Sequence, residues 1–154
     1  MGGNKMRIAI GSDHGGFEVK QSIIEELSKD ERVSEILDAG THGLQSVNYA
    51  HYGIDVATLV ANDEADLGIV VCSTGEGICI AANKVKGIRC GLIYDDASAR
   101  LTKEHNNCNV IAFGAKTMRL KEILKRLNIF LEAKFEGGRH QERLDYIRKY
   151  EEND

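Results

Sequence analysis

Short, almost continuously apolar runs alternate with longer amphipathic ones along the chain, and few architectures accommodate that alternation. Met6 to Gly11, Val33 to Asp38, Leu67 to Cys72, Ile88 to Tyr94 and Asn109 to Gly114 read as strands. Four of the five carry apolar side chains at nearly every position, the pattern of strands covered on both faces. Helical patterns lie between them: Val19, Ile23 and Leu27 step by four, and Gly53, Val56, Ala57 and Val60 follow i, i+3, i+4, i+7. The strongest is Leu120, Ile123, Leu124, Leu127 and Leu131. Strands alternating with helices build βαβ units, which predicts an α/β fold, a three-layer α/β/α domain on a five-stranded parallel sheet. After Glu136-Gly137-Gly138, a hinge, a polar segment with Leu144 and Ile147 predicts a C-terminal helix, largely exposed and able to lie against a partner subunit.

A length of 154 residues suits one domain, placed at 6–154 behind a short tail at 1–5. With 42% apolar and 29% charged residues the chain can fill a core. A net charge of −4 argues against nucleic acid as a partner. No run approaches the ~20 apolar residues of a membrane span, and no apolar leader is visible. The expected location is cytoplasmic. Cysteines at 72, 79, 90 and 108 form neither a CxxC nor a zinc pattern and should be free thiols. Proline is absent, so the 16 glycines carry the punctuation.

In open parallel sheets ligands bind where strands end and helices begin. Strand one ends in Gly11-Ser12-Asp13-His14-Gly15-Gly16, strand three in Cys72-Ser73-Thr74-Gly75-Glu76-Gly77, and His105-Asn106-Asn107 stand near the end of the fourth helix. All three are expected to converge on one edge of the sheet. The loop 73–77 opens a helix, so its N–H groups can receive an anion or can serve as an ordinary tight turn. It lacks the Gly-Lys-Ser/Thr of a phosphate-binding loop, and Gly11–Gly16 lacks the spacing of the dinucleotide fingerprint, which disfavours a nicotinamide oxidoreductase. Cys72 is either one more buried apolar side chain or a thiol activated by nearby N–H dipoles as base or nucleophile. Asp13 is either a helix cap or a chemical group. Arg139 and Arg143, four apart, suit a phosphate, and Tyr49, His51 and Tyr52 open the second helix as packing or sugar contacts. The histidines and carboxylates show no metal-ligand spacing.

Several blocks in order resemble the ribose-5-phosphate isomerase type B and galactose-6-phosphate isomerase subunit family. They are Gly11-Ser-Asp-His14, Asn48-Tyr-Ala-His-Tyr52, Cys72-Ser-Thr-Gly-Glu-Gly-Ile-Cys-Ile-Ala-Ala-Asn-Lys84, Gly87-Ile-Arg89, His105-Asn106, Asn109-Val-Ile-Ala-Phe-Gly114 and Glu136-Gly-Gly-Arg-His-Gln-Glu-Arg143. The resemblance runs from Met6 to about Ile147. It implies a Rossmann-like domain, a homodimer or dimer of dimers with shared active sites, and an aldose–ketose isomerisation of a sugar phosphate without metal or cofactor.

By position, the resemblance makes Cys72 the base that moves the C2 proton and the backbone of Ser73, Thr74, Gly75, Glu76 and Gly77 the cradle of the enediolate. Thr74 and Asp13 assist, and His105 helps open the sugar ring. His14, Arg139 and Arg143 take the phosphate, with Tyr49, Asn106 and Lys116 as further substrate contacts. Where the family often has Asp, Pro, Gly and Arg, this chain has Asn48, Ala50, Ser73 and Lys116. A branch that uses a glutamate as base has it at the place of Ile78, so Glu76 is no substitute for Cys72. The leading reading is interconversion of ribose 5-phosphate and ribulose 5-phosphate, as in the pentose phosphate pathway. The alternatives are isomerisation of allose or galactose 6-phosphate and a non-catalytic sugar-phosphate-binding module, against which the retained Cys72 counts.

Overall fold

The structure, a computed structural model, describes residues 5–153, so the tail expected at 1–5 lies outside the described residues except for Lys5. Strand β1 (Met6–Ser12) passes through a 3-10 turn (His14–Gly16) into α1 (Phe17–Ser28). There follow β2 (Val33–Gly40), α2 (Tyr49–Ala61), β3 (Leu67–Cys72), α3 (Glu76–Asn83), β4 (Cys90–Leu92), α4 (Asp96–Glu104), β5 (Val110–Gly114), α5 (Leu120–Glu132) and α6 (Arg139–Glu152). The five strands form one parallel sheet in the order β2-β1-β3-β5-β4. The chain leaves β1 toward β2 on one side and returns to β3 on the other, so the carboxyl ends of β1 and β3 flank the crevice where such sheets take ligands.

Alternation along the strands divides the core into two layers. Ile8, Ile10, Ile69, Val71, Ile111 and Phe113 meet Ile23 and Leu27 of α1 and Ile123, Leu127 and Phe130 of α5. Ala9, Val70, Cys72, Val110 and Ala112 face Val56 and Ala57 of α2 and Ile78 and Ala82 of α3. Every residue of β3 and β5 is buried. β2, at the sheet's edge, has only its last residue fully buried, which matches its polar sequence.

The fourth strand is shorter than the apolar run Ile88 to Tyr94 suggests. Ile88 and Ile93 are 4% and 0% exposed because they fill the core, and only Cys90–Leu92 pairs with β5 as strand. Apolarity reports burial, and burial here extends beyond the ladder. The four cysteines are free thiols, and no helix among the described residues is long and apolar enough to cross a membrane.

Among the described residues, one charged side chain is wholly inside. Lys20 on α1 is 0% exposed, and its Nζ donates to both carboxylate oxygens of Asp38 at 2.7 and 2.9 Å and to Gln21 Oε1 at 3.0 Å. This pair straps α1 to the carboxyl end of β2. Removing one partner of such a pair strands the other charge without water. Asp38→Ala is therefore expected to lower folding stability by about 3 kcal/mol, read as a shift of the urea midpoint. An unshifted midpoint would show that the strap contributes nothing.

Candidate active site

At the carboxyl edge the chain must turn sharply from β3 into α3, and Gly75 makes the turn. It caps α3 at φ +82°, and a Cβ there would lie 2.7 Å from Leu92 Cδ1 and 2.9 Å from the backbone carbon of Phe113. The turn brings the Gly75 N–H onto Cys72, whose Sγ accepts it at 3.2 Å, while Thr74 Oγ1 accepts the Glu76 N–H at 3.2 Å. Among the described residues, no protein group accepts from the amides of Ser73, Thr74, Gly77 and Ile78. These donors, at the positive end of α3, form a cradle for negative charge beside the Cys72 thiol. Cys72 itself is 5% exposed.

Neighbouring strands complete this edge. The Ala115 and Lys116 N–H groups donate to the carbonyls of Cys72 and Ser73, each at 2.9 Å, so Lys116 is held beside the loop with its side chain exposed. From β1, Asp13 is buried and caps the 3-10 turn, accepting the Gly16 N–H at 3.0 Å. The capping reading of Asp13 is thus met, and its second carboxylate oxygen remains for chemistry. His14 Nδ1 accepts the Val47 N–H at 3.1 Å, which leaves Nε2 as the ring's donor atom. Gly15 packs so closely that a Cβ would lie 2.5 Å from Ser73 Oγ. At the start of α2, Asn48 accepts the Ala50 N–H at 2.9 Å as its cap, and Tyr49 lies over Gly77, where a Cβ would meet its ring at 2.6 Å. Tyr49 is half-exposed at 41%.

The second half of the expected site is elsewhere. α4 runs back from the carboxyl end of β4, so His105, just past its last residue, stands at the amino edge of the sheet. There the Arg89 guanidinium, immediately before β4, donates to the carbonyls of Asn106 and Asn107 at 3.0 and 2.7 Å. Cys72 pairs with Gly114 and Cys90 with Val110, so four residues of β5, at about 3.3 Å each, put at least ~13 Å between the two groups along the strands. The expectation that the three segments converge on one edge is therefore corrected: Asp13, His14, Tyr49, Cys72, Ser73, Thr74, Gly75, Glu76, Gly77 and Lys116 gather at the carboxyl edge. His105, Asn106, Arg139 and Arg143 gather at the amino edge. A crossover helix ends at the opposite edge from where it starts, which the position of His105 in the sequence already contained.

The amino-edge group also includes residues the sequence reading passed over. The Glu136 N–H donates to the Glu104 carbonyl at 3.0 Å, docking the segment before α6 onto the end of α4. This brings His140 against His105, their rings stacked with centroids 4.1 Å apart. Burial, the adjacent His105 and the Arg139 guanidinium push the His140 pKa below the usual imidazole value. Arg139 and Arg143 are exposed on the first turns of α6, with the Arg143 guanidinium donating to the Arg139 carbonyl at 2.6 Å. Glu136, His140 and His105 thus form a ligand-like trio that linear spacing did not show, because the Gly137-Gly138 hinge interrupts any helical pattern. The signal lay in the four-residue interval from Glu136 to His140.

The model of the Ribose/Galactose Isomerase family matches residues 8–147. A putative sugar phosphate isomerase of Bacillus subtilis is 45% identical over 96% of this chain and 98% of its own length. Ribose-5-phosphate isomerase B of Escherichia coli is 42% identical over 95% of this chain and 97% of its own. Among solved structures, ribose-5-phosphate isomerase B of Clostridium thermocellum superposes with a TM-score of 0.92 at 44% identity, covering 96% of this chain and 99% of that one. The enzyme of Mycoplasma genitalium with bound ribulose-5-phosphate gives a TM-score of 0.91 at 38% identity, covering 96% and 97%.

Proposed function

The chain belongs to the ribose/galactose isomerase family, and from that premise we propose that it interconverts ribose 5-phosphate and ribulose 5-phosphate at a site completed by two subunits. The observation that carries the proposal is the Cys72 thiol set beside amides that no protein group occupies, at the β1/β3 crevice. Relatives that are ribose-5-phosphate isomerases, one with ribulose-5-phosphate bound, support the choice of substrate.

The reaction moves one proton from C2 to C1 and one from the C2 hydroxyl to the C1 oxygen. Cys72 as thiolate takes the C2 proton of the open-chain aldose, and the electron pair of that C–H bond forms the C1–C2 double bond. The negative charge that develops on oxygen is held in the cradle of residues 73–77, chiefly by the unoccupied amides of Ser73, Thr74 and Gly77 and aided by the Thr74 hydroxyl, all fixed before the reaction begins. The Cys72 thiol then returns the proton to C1. Before this, the furanose must open: His105 protonates the ring oxygen while Asp13 accepts the proton of the C1 hydroxyl. His14, Arg139 and Arg143 bind the phosphate, with Tyr49, Asn106 and Lys116 along the sugar. The lysine keeps its charge but lacks the two-pronged contact an arginine makes.

Because a protomer's own His105 and arginines face away from its Cys72, the reading requires two chains, each giving its amino edge to the other's carboxyl edge in an isologous dimer or dimer of dimers. His14 and the arginine pair then grip the phosphate from different subunits. The location in keeping with a sugar-phosphate substrate is the cytoplasm.

The deciding measurement compares kcat/KM for ribose 5-phosphate, allose 6-phosphate and galactose 6-phosphate with purified protein. Turnover confined to a six-carbon substrate would replace the assignment, and binding without any turnover would make the chain a sugar-phosphate-binding module. The enediolate charge is met by backbone donors, so treatment with EDTA is expected not to lower activity. Loss of activity in EDTA, restored by a divalent ion, would move the chemistry to a metal.

A further inference from the structure

At the amino edge, three donor atoms, from Glu136, from His140 on α6 and from His105 at the end of α4, lie close together. Glu136 Oε1 lies 3.4 Å from His140 Nε2 and 3.9 Å from His105 Nε2, and all three donor atoms fall within 4.8 Å of one another. His140 is 8% exposed, and its Nε2 is buried without any hydrogen-bond partner. A buried polar atom with no partner is costly and rare, and this one aims into the cluster. The proposed isomerisation uses His105 but neither Glu136 nor His140.

We propose that His105, Glu136 and His140 form a three-ligand site for a divalent transition-metal ion, zinc above all, and that filling it withdraws His105 from the isomerase reaction. Two imidazoles and one carboxylate are the donor set of open zinc sites, which keep a further position for water. Donors bound tetrahedrally at 2.0–2.1 Å stand about 3.3 Å from each other, so the Glu136 to His140 separation already fits, whereas the His105 ring must turn out of its stack on His140 to bring Nε2 closer to both partners. His105 caps the end of α4 and is partly exposed, which leaves its ring room to turn, and the Gly137-Gly138 hinge, at φ +69° and +55° with no atom within 4 Å of where a Cβ would stand, lets His140 follow. In the lone chain the side chains of Glu136 and His105 are 49% and 36% exposed, and in the proposed dimer they face the crevice that must stay open to sugar phosphate. Burial, then His105, Arg139 and Arg143, push the His140 pKa down against the opposing pull of Glu136, toward the neutral form that binds metals. The same two guanidinium groups repel a dication, so the expected affinity is weaker than that of a structural zinc site.

Metal binding does not depend on the isomerase reading; only its inhibitory consequence does. The test titrates Zn2+ by equilibrium dialysis, and Co2+ by visible absorption, into the purified full-length chain near neutral pH. The expected result is one equivalent per chain, with Co2+ bands of low-symmetry coordination and no thiolate-to-metal charge transfer. Glu136→Gln alters an exposed carboxylate and should weaken binding by more than the roughly 10–100-fold that loss of an outer-shell partner costs. His140→Gln should do the same, with circular dichroism confirming its fold, and Glu136→Gln alone suffices where it does not fold. Zn2+ should inhibit ribose 5-phosphate turnover over the same concentration range, reversed by chelator, with the inhibition curve shifted in Glu136→Gln. Absence of stoichiometric binding, binding indifferent to Glu136→Gln, or a thiolate band from the free cysteines would overturn the site. Binding without inhibition would overturn its effect on catalysis. A wild-type protein that turns over no sugar phosphate would refute the isomerase reading and leave the binding result standing.

Discussion

Cys72→Ala is expected to lower kcat for ribose 5-phosphate by about 10³-fold, within the range assigned to a positioned general base, while substrate affinity changes little. A proton-transfer base interacts with the C2 proton mainly in the transition state, so its loss falls on kcat rather than on binding. The side chain is small and lies at the end of β3, where it packs with Val56, Ile78 and Ala112 among others, and alanine keeps most of that packing. Cys79 is the internal control. Its Sγ donates to the Cys90 carbonyl at 3.4 Å on the far side of α3's first turn, and Cys79→Ala should leave kcat largely unchanged. Cys108 is a second one, since burial pushes its thiol up to about 11 and keeps it protonated. A Cys72→Ala enzyme that still turns over at near the parent rate would remove Cys72 from the mechanism and return it to the core.

Two inactive proteins should make an active one. In the proposed dimer, with Cys72 at the carboxyl edge and His105 at the amino edge, each site takes one from either chain. Refolded together in equal amounts, Cys72→Ala and His105→Ala chains reassort so that about half the dimers are mixed, and each mixed dimer contains one site with both residues. Recovery should approach about a quarter of wild-type activity. Each mutant refolded alone should stay inactive. If mass measurement confirms subunit exchange and no activity returns, the two residues do not meet across subunits.

What could be read in advance followed from burial. Strands covered on both faces announce themselves by unbroken apolar runs, so β1, β3 and β5 fall within a residue of where the sequence places them. β4 does not, because Ile88 and Ile93 are apolar for the sake of core packing beyond the three residues that pair. The carboxyl-edge loops were legible for a related reason: a glycine loop between a buried strand and a helix has only one edge it can occupy. The amino-edge group is not, because a helix's far end lies at the edge opposite to the one from which the helix departs, and short motifs alone do not say how far the helix runs. His140 is harder to read: it stands four residues after Glu136, but across the Gly137-Gly138 hinge that interval alone does not report that its ring is covered by another.

The arginine pair is carried by the segment of the chain with the least holding it down. Along α6 only His140 and Leu144 are buried, whereas Tyr146, Ile147 and Tyr150 are 75%, 52% and 77% exposed. Proteins open locally wherever few apolar contacts secure a segment, at free energies below that of global unfolding. In a lone chain, α6 is thus the first piece to detach, and Arg139 and Arg143, the proposed phosphate ligands, leave with it while the sheet and Cys72 stay in place. Activity then becomes a more sensitive thermometer than secondary structure: on warming or dilution, turnover fades ahead of the sheet's circular dichroism, and a bound sugar phosphate, by fastening the helix, brings the two curves together.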